Sequence, residues 1–185
     1  MRSILVTCTV LLIATVTIQG QALPAAQRDA ADLSRIPTAS ASATQELTVR
    51  WTSSPGANGS VITPGARPAS TGFQLLERRP VPGALPRQRN PQLSSDQLVV
   101  IGVDAAGREI DWQTVKDPRI IRAESAGADG QLSGQVLYRT DAEFLLTVPA
   151  GSVFTTVRLY ETVWTGGQFL LRYVGAIAVD QPTAR

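Results

Sequence analysis

From Gln97 to Val179 the chain is a succession of short apolar segments, each closed after a few residues by glycine, proline or aspartate. Residues 98–103 form a nearly continuous β-branched run, the mark of a buried strand. Asp104-Ala105-Ala106-Gly107 follows, which fits a hairpin turn with Gly107 in the left-handed position. Ile110 and Trp112 then alternate with Glu109, Asp111 and Gln113. Pro118 can open a strand but not sit inside a central one, so the next strand is expected to start after it, over 119–124. A turn at Asp129-Gly130 leads into a strand over 132–139. Ala142, Phe144, Leu146 and Val148 alternate cleanly up to Pro149, and 153–164 and 169–179 form two long segments around Gly166-Gly167.

A chain punctuated this closely cannot fit helical crossovers between its strands. No helix-length amphipathic segment interrupts 97–179, which excludes βαβ units and a nucleotide-binding α/β fold. The expected architecture is all-β: an immunoglobulin-like or fibronectin-like antiparallel β-sandwich. Upstream, Leu47, Val49 and Trp51 alternate with Glu46, Thr48 and Arg50, giving one more strand. The predicted organisation is a single sandwich domain over 45–180 with an irregular Pro/Arg-rich insertion over 54–96, preceded by a flexible lead over 23–44. Within these stretches the pattern allows a short strand at 73–77 and a helical turn near 25–33.

The first 22 residues read differently. One basic residue, Arg2, precedes an apolar run over 4–18, and small residues stand at Gly20 and Ala22. This is the pattern of a secretory signal peptide cleaved after Ala22, with Ala25 and Ala26 as later cut sites. The run falls short of the roughly 20 apolar residues that cross a bilayer. The mature chain is therefore expected to be exported, periplasmic or extracellular, and to carry no transmembrane segment.

Much chemistry is ruled out by what the sequence lacks. It contains no histidine, and Cys8, its one cysteine, lies in the leader. Ser-His-Asp and Cys-His nucleophile systems, His-ligated zinc or copper and thiolate metal sites are excluded on that ground. Neither a Walker A loop nor a Rossmann fingerprint is present, and no cofactor is expected. For calcium, Asp104, Asp129 and Asp141 stand at turns, but not in a clustered acidic loop.

Carboxylates remain as candidates for acid–base work on a glycan: Asp111, Asp117 and Glu124, or Asp141, Glu143 and Glu161. Asp111 and Glu124 fall on strands expected to be neighbours. Glu161 shares a face with Val157 and Leu159; if that face is buried, the carboxylate needs a partner such as Arg172 or Arg139.

Two surfaces suit binding instead. Arg78, Arg79, Arg87 and Arg89 occur with no acidic residue between Glu77 and Asp96, while Pro80, Pro82, Pro86 and Pro91 keep the segment extended. Such a strip can take phosphate, sulfate or carboxylate through forked hydrogen bonds. Nucleic acid is not an expected partner: the formal charge is only +2, and no aromatic residue lies among these arginines to stack on bases. In the other candidate, Phe154, Tyr160 and Trp164 share a face of one strand; with Val157 and Leu159 turned inward, Tyr160 and Trp164 point outward toward a sugar or a protein. The sequence thus reads as an exported, non-enzymatic module that binds a protein or cell-envelope component. A carboxylate-based glycan enzyme and an anion-binding protein using the 78–89 loop are the alternatives.

Overall fold

The computed structural model describes residues 25–37, 43–53, 61–62, 67, 70–84, 92–126, 130–150 and 154–179. Among them are strands β1 (Gln27–Asp29), β2 (Thr44–Ser53), β3 (Val61–Ile62), β4 (Ser70–Val81), β5 (Gln97–Asp104), β6 (Glu109–Lys116), β7 (Ile120–Ala126), β8 (Leu132–Arg139), β9 (Asp141–Pro149), β10 (Phe154–Trp164) and β11 (Phe169–Ala178), with one 3-10 helix over Ala30–Arg35. All pairings are antiparallel. The sheets run in the orders β1-β11-β10-β5-β6, β4-β2-β9 and β3-β8-β7. This is the all-β sandwich that the alternation predicts.

The core follows from side-chain parity. Leu98 and Val100 of β5, with Val157 and Leu159 of β10, face Leu47, Val49 and Trp51 of β2 and Leu146 and Val148 of β9. Val99, Ile101 and Val103 point the other way, into a second cluster with Tyr160 and Leu171. A strand covered on both faces has no polar side, so its sequence loses alternation and becomes a continuous apolar run. Turn chemistry acts at the end of β5. Gly107 takes φ 81°, a conformation open to glycine at little strain, and its N–H donates to the Asp104 carbonyl at 3.0 Å.

What covers the second cluster corrects the expectation of a flexible lead. β1 pairs with β11, placing Gln27 opposite Arg172. The Asp29 side chain then caps the 3-10 helix, accepting from the Ala31 N–H at 2.8 Å. Leu33 and Ile36 are thereby laid onto Val99, Ile101 and Leu171. Burying two such side chains contributes about 1.5–3 kcal/mol each, which helps to offset the entropy of ordering the segment. Arg28 anchors it further by donating to Glu109 at 2.5 Å.

The Pro/Arg-rich insertion is also more regular than expected. β4 extends through Arg78, Arg79 and Pro80 rather than stopping at Glu77. It is the edge of its sheet, where a missing proline N–H is tolerated because one side of the backbone makes no ladder bonds. At the sandwich margins, Gln113 of β6 donates to the Thr147 carbonyl of β9 at 2.8 Å. On the opposite side, β11 meets β4 so closely that a Cβ at Gly175 would stand 2.7 Å from the Phe73 ring. The sheet of β7 and β8 continues from this frame, joined to β6 through Asp117, Pro118 and Arg119 and to β9 through Thr140.

Among the described residues, no helix is long and apolar enough to cross a membrane. The expected signal peptide over 1–22 lies outside the described residues.

Candidate binding groove

Where the connection from β6 to β7 crosses the sandwich, one arginine is fully enclosed. Arg119 has 0% exposure. Asp117 turns back to accept from it at its backbone N–H (3.0 Å), its Nε (3.1 Å) and its Nη2 (2.9 Å). The same Nη2 reaches Glu161 on β10. The flat guanidinium lies over the ring of Trp51, its carbon 3.4 Å from the centroid. A desolvated contact of this kind is worth on the order of 2 kcal/mol. A charge buried this deeply is tolerable because both carboxylates and the ring compensate it.

Glu161 links this interior cluster to the surface. It is 1% exposed. Its Oε2 accepts from Arg172 Nε at 3.0 Å and also from Arg172 Nη2, and Arg67 Nη1 stands 3.9 Å away. Burial pushes the carboxyl pKa up, but hydrogen bonds from Arg172 and Arg119 outweigh it and hold Glu161 below the ordinary glutamate range. Arg67 is fixed by its neighbours: it donates to the Tyr138 hydroxyl at 3.2 Å, to the Thr162 carbonyl at 3.4 Å and to the Ser95 carbonyl.

Above this cluster an open groove of about 490 Å³ is lined by Arg67, Arg122, Arg172, Asp96, Tyr138 and Trp164, with Ile120 and Val136 among its apolar lining. Its size falls within the range of small-ligand sites. Arg122 donates to Asp96 through Nη2 at 2.9 Å and is otherwise solvent-facing, its side chain 69% exposed. Hydrogen bonds from the Ser94 hydroxyl and from Arg122 hold the Asp96 carboxyl below the usual aspartate range. Trp164, at the end of β10, is 54% exposed and is braced by Phe169, the ring centroids 4.9 Å apart at a tilt of 59°. Forked donors and a half-open aromatic face therefore border one concavity.

The sequence-derived candidates are only partly gathered there. Trp164 is at the groove and exposed, as the alternation predicts. Tyr160 is not: it is 1% exposed and packs edge-on against Tyr173, ring centroids 5.5 Å apart. Burial raises its phenol pKa. Phe154 also leaves the expected face and joins the inter-sheet core, because β10 shifts register against β5 between Phe154 and Thr156. Arg78 and Arg79 do not form an open strip. Arg78 donates to the Gln45 side chain at 2.6 Å and to the Val179 carbonyl at 3.3 Å, and Arg79 forks onto Glu46 at 2.9 and 2.6 Å. Arg87 and Arg89 lie outside the described residues.

Of the carboxylates, Asp111 is buried on β6 whereas Glu124 is exposed on β7, a strand of a different sheet, so the two are not cross-strand neighbours. Asp141 is exposed, and Glu143 pairs with Arg50 across β2 and β9 at 2.6 Å. Asp104 spends its carboxylate on the Ala106 and Arg108 N–H groups, both at 2.9 Å, and on the Arg108 guanidinium at 2.7 Å. Among the described residues no group of three or more His, Cys, Asp or Glu side chains is placed to hold a metal ion.

For Glu161 the expected ion pair forms with Arg172, while Arg119 takes the place offered to Arg139. Arg67, Arg119, Arg122 and Tyr138 were not singled out by sequence reasoning. Arg67 stands in a stretch without periodicity, and Pro118, which opens the strand expected over 119–124, was the one pointer to Arg119.

No protein-family model matches the sequence, and neither a curated protein nor a solved structure matches it.

Proposed function

We propose that this chain is an exported, non-enzymatic β-sandwich module that holds an acidic protein or cell-envelope component in the groove between Arg67, Arg122, Arg172 and Trp164. The observation that carries this reading is the convergence of three guanidiniums and one exposed indole on a single open concavity. Arginine forks fix the direction of a carboxylate, phosphate or sulfate, and the indole adds apolar contact at little entropic cost. Export rests on the leader pattern of the first 22 residues.

The carboxylates at this site favour binding over glycan hydrolysis. A glycosidase needs one carboxyl kept protonated by a raised pKa beside a second that is ionised. Asp96 and Glu161 are both shifted downward by their arginine and hydroxyl partners, so neither is poised to donate a proton near neutral pH.

The reading is tested by calorimetric titration with polygalacturonate, polyglutamate and phosphatidylglycerol vesicles at low and high salt. Binding of at least one polyanion, weakened by salt, lost on Arg122→Ser and kept by the Arg78→Ser/Arg79→Ser double variant, is the expected result. Binding that ignores Arg122→Ser, or that vanishes in the double variant, overturns this site.

A further inference from the structure

We infer that the ligand of this groove is a uronate: a pyranose ring carrying a single carboxylate, presented as part of an acidic polysaccharide. This inference rests on the anion-binding reading above and narrows it to one chemical class.

The first support is the charge balance. Arg67, Arg122 and Arg172 line the groove with Asp96; Arg122 pairs with Asp96, and Arg67 and Arg172 connect through Glu161 to Arg119 and Asp117. Among the described residues, four guanidiniums thus stand with three carboxylates, leaving one positive charge. A single carboxylate completes that balance, whereas a compact dianion such as phosphate overshoots it and would have to displace Asp96 or Glu161. Among the described residues, donors of Arg122 and Arg172 remain for one more acceptor. Arg122 uses Nη2 on Asp96, and Arg172 uses Nε and Nη2 on Glu161.

The second support is the aromatic platform. Trp164 is braced by Phe169 and offers a fixed apolar face in the groove that Arg67, Arg122 and Arg172 also line. A free phosphate or sulfate makes no use of such a face. A pyranose does, since its ring C–H groups form an apolar side while its carboxylate and hydroxyls project around the edge.

An acidic peptide is separated from a sugar by experiment, since the pairing of β10 with β5 ends at Glu161 and β7, which also lines the groove, is the edge of its sheet.

The test is calorimetry with trisaccharides of galacturonate and of mannuronate, the galacturonate methyl ester, inorganic phosphate and tetraglutamate. Wild-type protein, Trp164→Ala and Arg122→Ser are compared, both sites being exposed enough to leave the fold intact. One or both uronate trisaccharides should bind, and affinity should fall at least about tenfold on methyl esterification and in each variant, with an unchanged melting temperature. Phosphate or tetraglutamate binding as tightly as the sugars, or indifference to Trp164→Ala, rejects the uronate assignment while leaving an anion groove in place. If no probe binds, both the uronate and the anion-groove reading fall.

Discussion

The guanidinium carbon of Arg119 sits 3.4 Å from the centre of the Trp51 ring, and through this contact the two main sheets share one charged centre. Trp51 belongs to β2, Glu161 to β10, and Arg119 to the connection that leaves β6. The arginine can lie in the core because Asp117 and Glu161 neutralise it and the indole face covers it. Glu161 in turn holds Arg172 at the groove, so the surface donors are aligned by an interior network rather than by solvent.

Removing that centre should be costly. Arg119→Met leaves two carboxylates buried without their shared partner, and a loss of about 3–5 kcal/mol is expected. Arg119→Lys should recover little of it, since one ammonium cannot reproduce the fork or the flat contact with Trp51. Urea denaturation of both variants checks this; a Lys variant as stable as wild type would show that charge alone suffices.

Acid stability should carry the signature of Glu161. Its folded-state pKa lies below the unfolded value, so its contribution is full above the ordinary glutamate pKa of about 4.3 and is lost as pH falls through the depressed folded value. Asp96 and Asp104 are shifted in the same direction and add to the slope. In Glu161→Gln the fall in unfolding free energy between neutral and acidic pH should be shallower than in wild type. Denaturant melts at a series of pH values measure it, and parallel curves would remove Glu161 from the account.

The strands over 97–179 were legible because period-two alternation and turn residues agree there, as at Asp104 to Gly107 and in the run Ala142, Phe144, Leu146, Val148. Three features were not legible, each for a physical reason. Gln27, Arg28 and Asp29 have no apolar alternation and are a strand only because β11 offers a ladder. Register shifts in β10 are set by its partners, and they send Phe154 to the face of Val157 and Leu159. Tyr160 alternates outward from that face as expected, yet it is buried because the N-terminal segment covers the outer side of the sheet. The groove itself gathers residues from β7, β8, β10, β11 and the chain around Arg67 and Asp96, a convergence that no local window contains.

That N-terminal cover makes its own prediction. Leu33 fills the outer cluster against Val99, Ile101 and Leu171, so Leu33→Ala should cost about 2–5 kcal/mol although it lies in a segment that reads as a lead. Wild-type stability in this variant would mean that the segment does not stay docked in solution. Uncovering the sheet should also raise binding of a hydrophobic dye, because Tyr160 and Leu171 would meet water.

The tryptophans give the sharpest contrast between core and site. Trp51 is fully buried, stacked 4.8 Å from Phe73 and covered by Arg119, so Trp51→Ala should lose about 3–5 kcal/mol through the cavity alone. Trp164 projects from the end of β10 with Phe169 as its one ring neighbour among the described residues, and Trp164→Ala should change stability by no more than about 0.5 kcal/mol. Equal and large losses in both variants would make Trp164 part of the packing and remove it from the groove's binding surface. A small loss at Trp164 together with abolished uronate binding would separate the residue's role in recognition from any role in the fold.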